Sequence, residues 1–265
     1  MRSRYSLFTM VFAALLLVLG AVPAAPAFAV SVDTPAGQNV QIDPFEELSI
    51  IFDNVLDPAD TTVIRTHLEP GDRTTPCGNT IPGTIGLPGG DHFIVYNITT
   101  LALFTDSVEV IVDQFEDTAR LFHAACPPNE DGFQNVTTLA IPGDPRARIP
   151  EFSEFVVGID GMSANDILTA QLGVLRSILD VGSPAALAMD DETLMILRGY
   201  AREVFRARNQ ENLPRAYEIL GDLINFVRAH SGTSVPNQAS QPGGNAAGQL
   251  ISIAASLKFT VKLLF

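Results

Sequence analysis

Three of the four histidines, His67, His92 and His123, fall within the first half of the chain. Three imidazoles are enough to begin a zinc site. No two of them stand at the short spacing that puts neighbouring ligands on one strand or helix, so the expectation is scattered polar imidazoles and no metal. Asp53, Asp57 and Asp60 crowd a segment, Asp53–Asp60, that Pro58 marks as a loop. Carboxylates so grouped suit Ca²⁺, but the spacing is not that of an EF-hand and no Gly stands at the turn. A solvated acidic loop is expected instead. No G-x-S-x-G elbow is present, and nothing around Ser153 or Ser163 suggests an activated hydroxyl. Gly83 to Gly90 lacks the Lys and the following helix of a phosphate loop. No cofactor is expected. Two carboxylates suffice for glycoside hydrolysis, and the chain has so many acids that this test decides nothing. Arg198, Arg202 and Arg206 recur every four residues and so share one helix face. They form either a docking strip, for an anionic glycan or for the acidic part of this chain, or a solvated face partly paired with Glu203 and Glu211.

The elements that must carry these residues divide the chain. Arg2 and Arg4 precede an apolar run, and Ala27-Phe28-Ala29 fits a cleavage site before Val30, so residues 1–29 are expected to be a secretory signal peptide. An uncleaved anchor is the alternative. The expected location is secreted or extracytoplasmic. There, a disulfide between Cys77 and Cys126, each flanked by turn residues, is the simplest reading. Losing Arg2 and Arg4 takes the formal charge from -14 to -16. All of that net charge lies in residues 30–160, where 21 acids face 5 bases, whereas residues 161–265 carry 9 of each. The acidic half repels nucleic acid and anionic lipid, so no nucleic-acid partner is expected.

Residues 30–160 are expected to form an acidic antiparallel β-sandwich. Strand-like runs lie at Gln38–Ile42, Leu48–Phe52, Thr61–Leu68, Phe93–Phe104 (as one strand or two), Val108–Val112, Ala119–Ala125, Asn135–Ile141 and Phe152–Ile159. Between the third and fourth, Glu69–Gly90 is a long Gly/Pro-rich loop that Cys77 tethers. Residues 161–265 are expected to form a small α-helical bundle, making the fold α+β in two units. Ser163 caps a helix with Leu168, Leu172, Leu175 and Leu179 on its apolar face. Asp190-Asp191-Glu192 opens a second helix, and a third starts near Pro214. Residues 231–245 have the composition of a flexible linker. The final stretch, about Ala246–Leu264, is a helix apolar on most sides. The alternation of Leu257, Phe259, Val261, Leu263 and Phe265 also allows a closing strand of an outer-membrane barrel, so membrane contact is expected, if anywhere, only through residues 246–265.

Phe52-Asp53-Asn54-Val55, Tyr96-Asn97-Ile98-Thr99-Thr100-Leu101-Ala102-Leu103-Phe104, Val108-Glu109-Val110-Ile111-Val112-Asp113, Ala119-Arg120-Leu121-Phe122-His123 and Asn135-Val136-Thr137-Thr138 resemble the strands of a sandwich-like domain of exported bacterial and archaeal surface proteins. Arg206 through Gly232, with Ala216, Leu220, Leu223, Ile224, Phe226 and Val227, resembles the FIMAH domain found at the C-termini of extracellular bacterial proteins. Neither resemblance implies an activity. Both imply a secreted or surface-attached, non-catalytic binding or scaffolding role, with a glycan or another surface protein as partner. The alternatives are an exported hydrolase with an unrecognised carboxylate pair, or an outer-membrane-attached protein.

Overall fold

The structure, a computed structural model, describes residues 27–90, 92–129, 132–141, 143–238 and 244–265. Residues 1–26 of the expected signal and residues 239–243 of the expected linker lie outside these. Two antiparallel sheets hold the strands β1 (Ala27–Thr34), β2 (Gly37–Phe45), β3 (Leu48–Asp57), β4 (Ala59–His67), β5 (Ile85–Gly86), β6 (Ile94–Thr100), β7 (Leu103–Val112), β8 (Ala119–Ala124), β9 (Gln134–Asn135), β10 (Thr137–Ile141), β11 (Asp144–Ile149) and β12 (Glu154–Asp160). One sheet runs β1-β4-β6-β12-β8-β9 with β5 added to the end of β12, and the other runs β10-β11-β7-β3-β2. Leu48, Ile50, Phe52, Val63, Tyr96, Ile98, Val108, Val110, Leu121, Phe155 and Val157 meet between the sheets. Period-two alternation sends every second side chain there.

The sheet containing β12 is covered on both faces at its centre, which is why Phe155, Val156 and Val157 form an unbroken apolar run. Its outer face packs Val95, Phe122 and Val156 against Leu68, Ile81, Ile85 and Phe93 from the long loop and its flanks. Three devices hold that loop down. Cys77 and Cys126 form a disulfide. Arg73 donates to the carbonyls of Ile81, Pro82 and Ile85 and lies 5.0 Å from the Phe93 ring centroid. Glu154, wholly buried on β12, accepts from Thr75 Oγ1 at 2.5 Å, Asn79 Nδ2 at 3.0 Å and the Cys77 backbone N–H at 3.1 Å.

The helices are α1 (Ala164–Ile178), α2 (Pro184–Leu187), α3 (Asp191–Asn209), α4 (Leu213–His230) and α5 (Ala246–Lys262). Ser163, Ser183, Asp190, Asn212 and Asn245 cap them, each side chain accepting from a backbone N–H in the first turn. Helix α5 lies between α1 and α4 on one side and β7, β10 and β11 on the other. That position explains an apolar surface on most sides. The closing-strand alternative for Leu257–Phe265 is therefore corrected: helical pairing takes the segment to Lys262, and its alternation is incidental to burial on two faces. Among the described residues no helix is long and apolar enough to cross a membrane.

Asn245 anchors α5 to the sandwich. Its Nδ2 donates to the carbonyls of Asp106 and Pro150, both at 2.8 Å, while its Oδ1 caps Gly248 N. Asp106 sits at a positive φ of 63° and also receives Ser231 Oγ. Within the stretch expected as linker, Val235 is fully buried and Thr105 bridges Gln238. Strands β1, β5 and β11 fall outside the expected runs. Strand β1 includes Ala27–Ala29 of the expected signal and pairs with β4. Strand β5 lies inside the expected long loop and pairs with β12. Strand β11, Asp144–Ile149, has Pro145 as its second residue and two arginines after it.

Candidate functional site

The Asp53–Asp60 loop expected from sequence is corrected to a tight corner at Pro58 that passes the chain from one sheet to the other, with β3 running through Asp57 and β4 starting at Ala59. Pairing of β3 with β7 carries the strand past its bulge at Phe52/Asn54. Asp53 is therefore in a strand, where both carboxylate oxygens accept from Arg148 Nη1 at 3.0 Å and one accepts Ser107 Oγ at 2.6 Å. His67 and His92 do meet, ring nitrogen to ring nitrogen at 2.9 Å, because β4 ends beside the loop that leads into β6. Burial, then the neighbouring His92, pushes the His67 pKa down. Among the described residues no group of three His, Cys, Asp or Glu side chains gathers around a common point.

His123 and Ser153, thirty residues apart, are brought together by the β8–β12 pairing, with Ser153 Oγ 2.8 Å from His123 Nε2. The hydroxyl donates its one proton to the Ala124 carbonyl at 2.5 Å, so it has none to give the imidazole. The ring packs on Phe155 at 4.8 Å between centroids, and burial lowers its pKa to about 4. This is a Ser–His contact organised for structure. Asn97 and Asn135 are engaged too: Asn97 Nδ2 lies 2.9 Å from Cys77 Sγ, and Asn135 Nδ2 donates to Asp160 at 2.7 Å.

The docking strip separates into distinct roles. Arg198 donates through Nε and Nη2 to the Leu179 carbonyl, at 2.8 and 2.7 Å, and so closes the C-terminal end of α1. Arg202 donates to the Arg198 carbonyl at 3.2 Å, and Arg206 is exposed one turn on. Arg198 and Arg202 line an open groove with Arg176, Asp180, Asp191 and Met195. Glu203 pairs with Arg215 rather than with the strip.

A cavity of about 580 Å³ lies where α1 and α5 meet the β8–β9 edge of the sandwich. Volumes of this size are usual for small-molecule sites. Ile167, Ala170, Gln171, Val174 and Ile178 come from one stripe of α1, at helical spacing. Gln249, Ser252, Ile253 and Ser256 come from one stripe of α5, and Ile85, Phe122, Phe133 and Val136 from the sandwich. Two helix side chains clamp consecutive carbonyls of the sandwich edge: Gln171 Nε2 donates to Asn135 O at 3.1 Å, and Ser256 Oγ to Val136 O at 3.0 Å. That first bond fixes the amide, because a flipped Gln171 would set its oxygen against a carbonyl. Gln171 Oε1 is left buried without a partner among the described residues, and so is Ser252 Oγ. The two residues are 5% and 8% exposed. Buried polar atoms almost always have partners. Both residues line the cavity, while the two orphan atoms themselves are sealed from solvent. Sequence reasoning missed it because Gln171 and Ser252 sit in helix stripes that otherwise look like core.

The molecule is thus a sandwich with a helical bundle docked through one central helix, enclosing an amphipathic cavity at the junction. Residues 108–265 match a family of unknown function, DUF6689, and the chain belongs to that family. The matched region starts in β7 and runs across the sandwich–helix junction to α5, so it contains most of the cavity wall. No curated protein and no solved structure matches the chain significantly.

Proposed function

We propose that the protein is an exported, non-catalytic binding protein whose ligand seat is the cavity between sandwich and helices. The observation that carries this reading is the cavity of about 580 Å³ at the junction, walled by one stripe of α1, one stripe of α5 and apolar side chains of the sandwich. Supporting it are the signal-like N-terminus, the disulfide that pins the long loop, and the resemblance of both units to accessory domains of exported surface proteins, FIMAH among them. A surface protein or glycan would then be what delivers or presents the ligand.

The test uses protein recovered from the medium or periplasm, with its intact mass. A chain starting at Val30 and two hydrogens light supports export; a chain held in the cytoplasm at full mass refutes it. Thermal unfolding across a chemically broad small-molecule library tests the seat. A compound that stabilises the wild type and loses that effect in Ala170→Phe, which fills the cavity from an exposed position of α1, supports it, and a library with no stabilising compound overturns it. A hydrolytic reading rests on Glu151 and Asp160, which both line the cavity. Asp160 already accepts from Asn135 and from the Met162 N–H, which favours a structural role. Turnover of a bound ester or glycoside, lost in Asp160→Asn, would restore the hydrolase.

A further inference from the structure

We infer that the open groove between the end of α1 and the face of α3 docks an acidic peptide segment of another protein, one in which carboxylates alternate with apolar side chains. The groove shares no lining residue with the cavity at the sandwich–helix junction, so the inference is independent of the ligand seat. Three guanidiniums, Arg176, Arg198 and Arg202, line it. The chain as a whole is strongly acidic, at a formal charge of -14, and elsewhere Arg65, Arg148 and Arg215 each meet a carboxylate. Among the described residues none of the three groove guanidiniums does so. Arg198 spends Nε and Nη2 on the neutral carbonyl of Leu179, and Arg202 spends only Nε, on the Arg198 carbonyl. The Arg176 side chain has no bond to a protein group among the described residues.

Two acids share the lining, Asp180 and Asp191, so the charge there is three bases against two acids. Their places give the groove a direction. Asp191 opens α3, seven residues before Arg198 and eleven before Arg202, or about 10 and 16 Å along the axis. Arg206, exposed one turn further, continues the basic stretch. The occupant's carboxylates therefore belong along α3 from Arg198 onward, where planar guanidinium forks match them. Leu179, Leu194 and Phe205 supply the apolar part of the lining, and Met195 is left 61% exposed among the charges. A sulfate-like ion or an anionic glycan would meet the arginines and leave that apolar surface unmatched. From Asp191 to Phe205 the α3 wall is about 21 Å long, the span of about six or seven extended residues.

The test is fluorescence anisotropy on the purified protein, with a dye-labelled peptide of about seven residues alternating Glu and Leu. Peptides alternating Gln with Leu, or Glu with Ser, keep one of its two features each. Both should bind roughly tenfold or more weakly, and binding of the Glu/Leu peptide should fall as salt rises. Arg176→Ala, Arg202→Ala and Met195→Ser change exposed side chains, and each should weaken that binding roughly three- to tenfold. Arg198 is left in place because it closes α1. Arg228→Ala, exposed on α4 outside the groove, and Ala170→Phe, in the cavity, should leave the affinity unchanged. Equal binding of the Gln/Leu peptide, or wild-type affinity in Arg176→Glu combined with Arg202→Glu, overturns the inference. An oligogalacturonate that binds more tightly than the peptide at the same arginines makes the occupant an anionic glycan. Self-association abolished by the double variant, with no peptide bound, makes it a second copy of the chain. Loss of peptide binding in Ala170→Phe but not in the double variant moves the site to the cavity. Each of these three results also overturns the inference.

Discussion

Replacing Gly248 by Ala tests whether α5 is docked as described. A Cβ at this position would stand 2.1 Å from the Asp106 carbonyl oxygen and 2.6–2.7 Å from the Asn245 side-chain amide. Ordinary contact begins at 3.4 Å, so the first turn of α5 must retreat by about 1 Å, and the obstacle is backbone rather than a flexible side-chain end. A retreat of that size breaks the two bonds from Asn245 Nδ2 to the carbonyls of Asp106 and Pro150. Each is worth about 1 kcal/mol net, and a carbonyl left buried without a donor costs about 1–3 kcal/mol more. Against this, Ala is favoured over Gly in a helix by about 1 kcal/mol. The balance is a loss of about 3 kcal/mol, or about 6–12 °C in Tm at this chain length. Gly173→Ala is the matched control. It lies in α1, exposed, with nothing within 4 Å of its would-be Cβ, and should gain about 1 kcal/mol. Both are read by urea and thermal denaturation of the purified protein. Gly248→Ala as stable as the wild type, beside a Gly173→Ala that gains as expected, would show that the helix does not approach the sandwich this closely.

Removing the disulfide by Cys77→Ser with Cys126→Ser, which frees a loop with a sequence separation of 49, should cost about 4 kcal/mol; chemical denaturation with and without reductant reads it, and an unchanged midpoint would refute the role. Glu154→Gln replaces one acceptor oxygen by a donor facing donors, so a loss of about 2–4 kcal/mol and faster proteolysis within residues 69–90 are expected. His123 has a folded pKa near 4 against 6.5 for an ordinary imidazole, so between those values the unfolded chain binds the extra proton more readily. Stability should therefore fall as pH drops from about 6.5 toward 4, by at most about 3 kcal/mol, and this slope should shrink in His123→Gln. Glu47, whose burial opposes ionisation but whose bonds from Arg65 and Tyr96 win, has a lowered pKa; its contribution is present above pH about 4.5 and is lost at lower pH still, so Glu47→Gln should flatten only the most acidic part of the curve.

The division into a β unit and a helical unit is legible because it rests on local signals. Ser163 and Asp190 cap the helices their positions announce, and Val108, Val110 and Val112 alternate as a half-buried strand must. The Cys77–Cys126 disulfide is legible from the turn residues beside each Cys together with the expected signal. Strand β1 is hidden because its first residues, Ala27–Ala29, also read as a cleavage site, strand β5 because it is two residues inside a Gly/Pro-rich loop, and strand β11 because its formation is decided by its partners β7 and β10. The Asp53 misreading has the same cause: Pro58 does mark a turn, but two flanking strands reach it. The cavity is the least legible feature of all. Gln171 belongs by position to the stripe that includes Leu168 and Leu175, and only the place of Asn135, 36 residues away, shows that its amide is half used. Arg198 looks like a surface charge until Leu179 is seen at its tip.

Helix α5 is the last described element to emerge during synthesis, yet it closes the gap between the bundle and strands β7, β10 and β11. A nascent chain can pair its strands and cap α1, α3 and α4 while one wall of the cavity and the shared face of both units are still missing. The shared face of both units is therefore complete only once α5 has been made. A chain that stops short of Ala246 offers an uncovered apolar surface, of the kind that proteolytic surveillance removes.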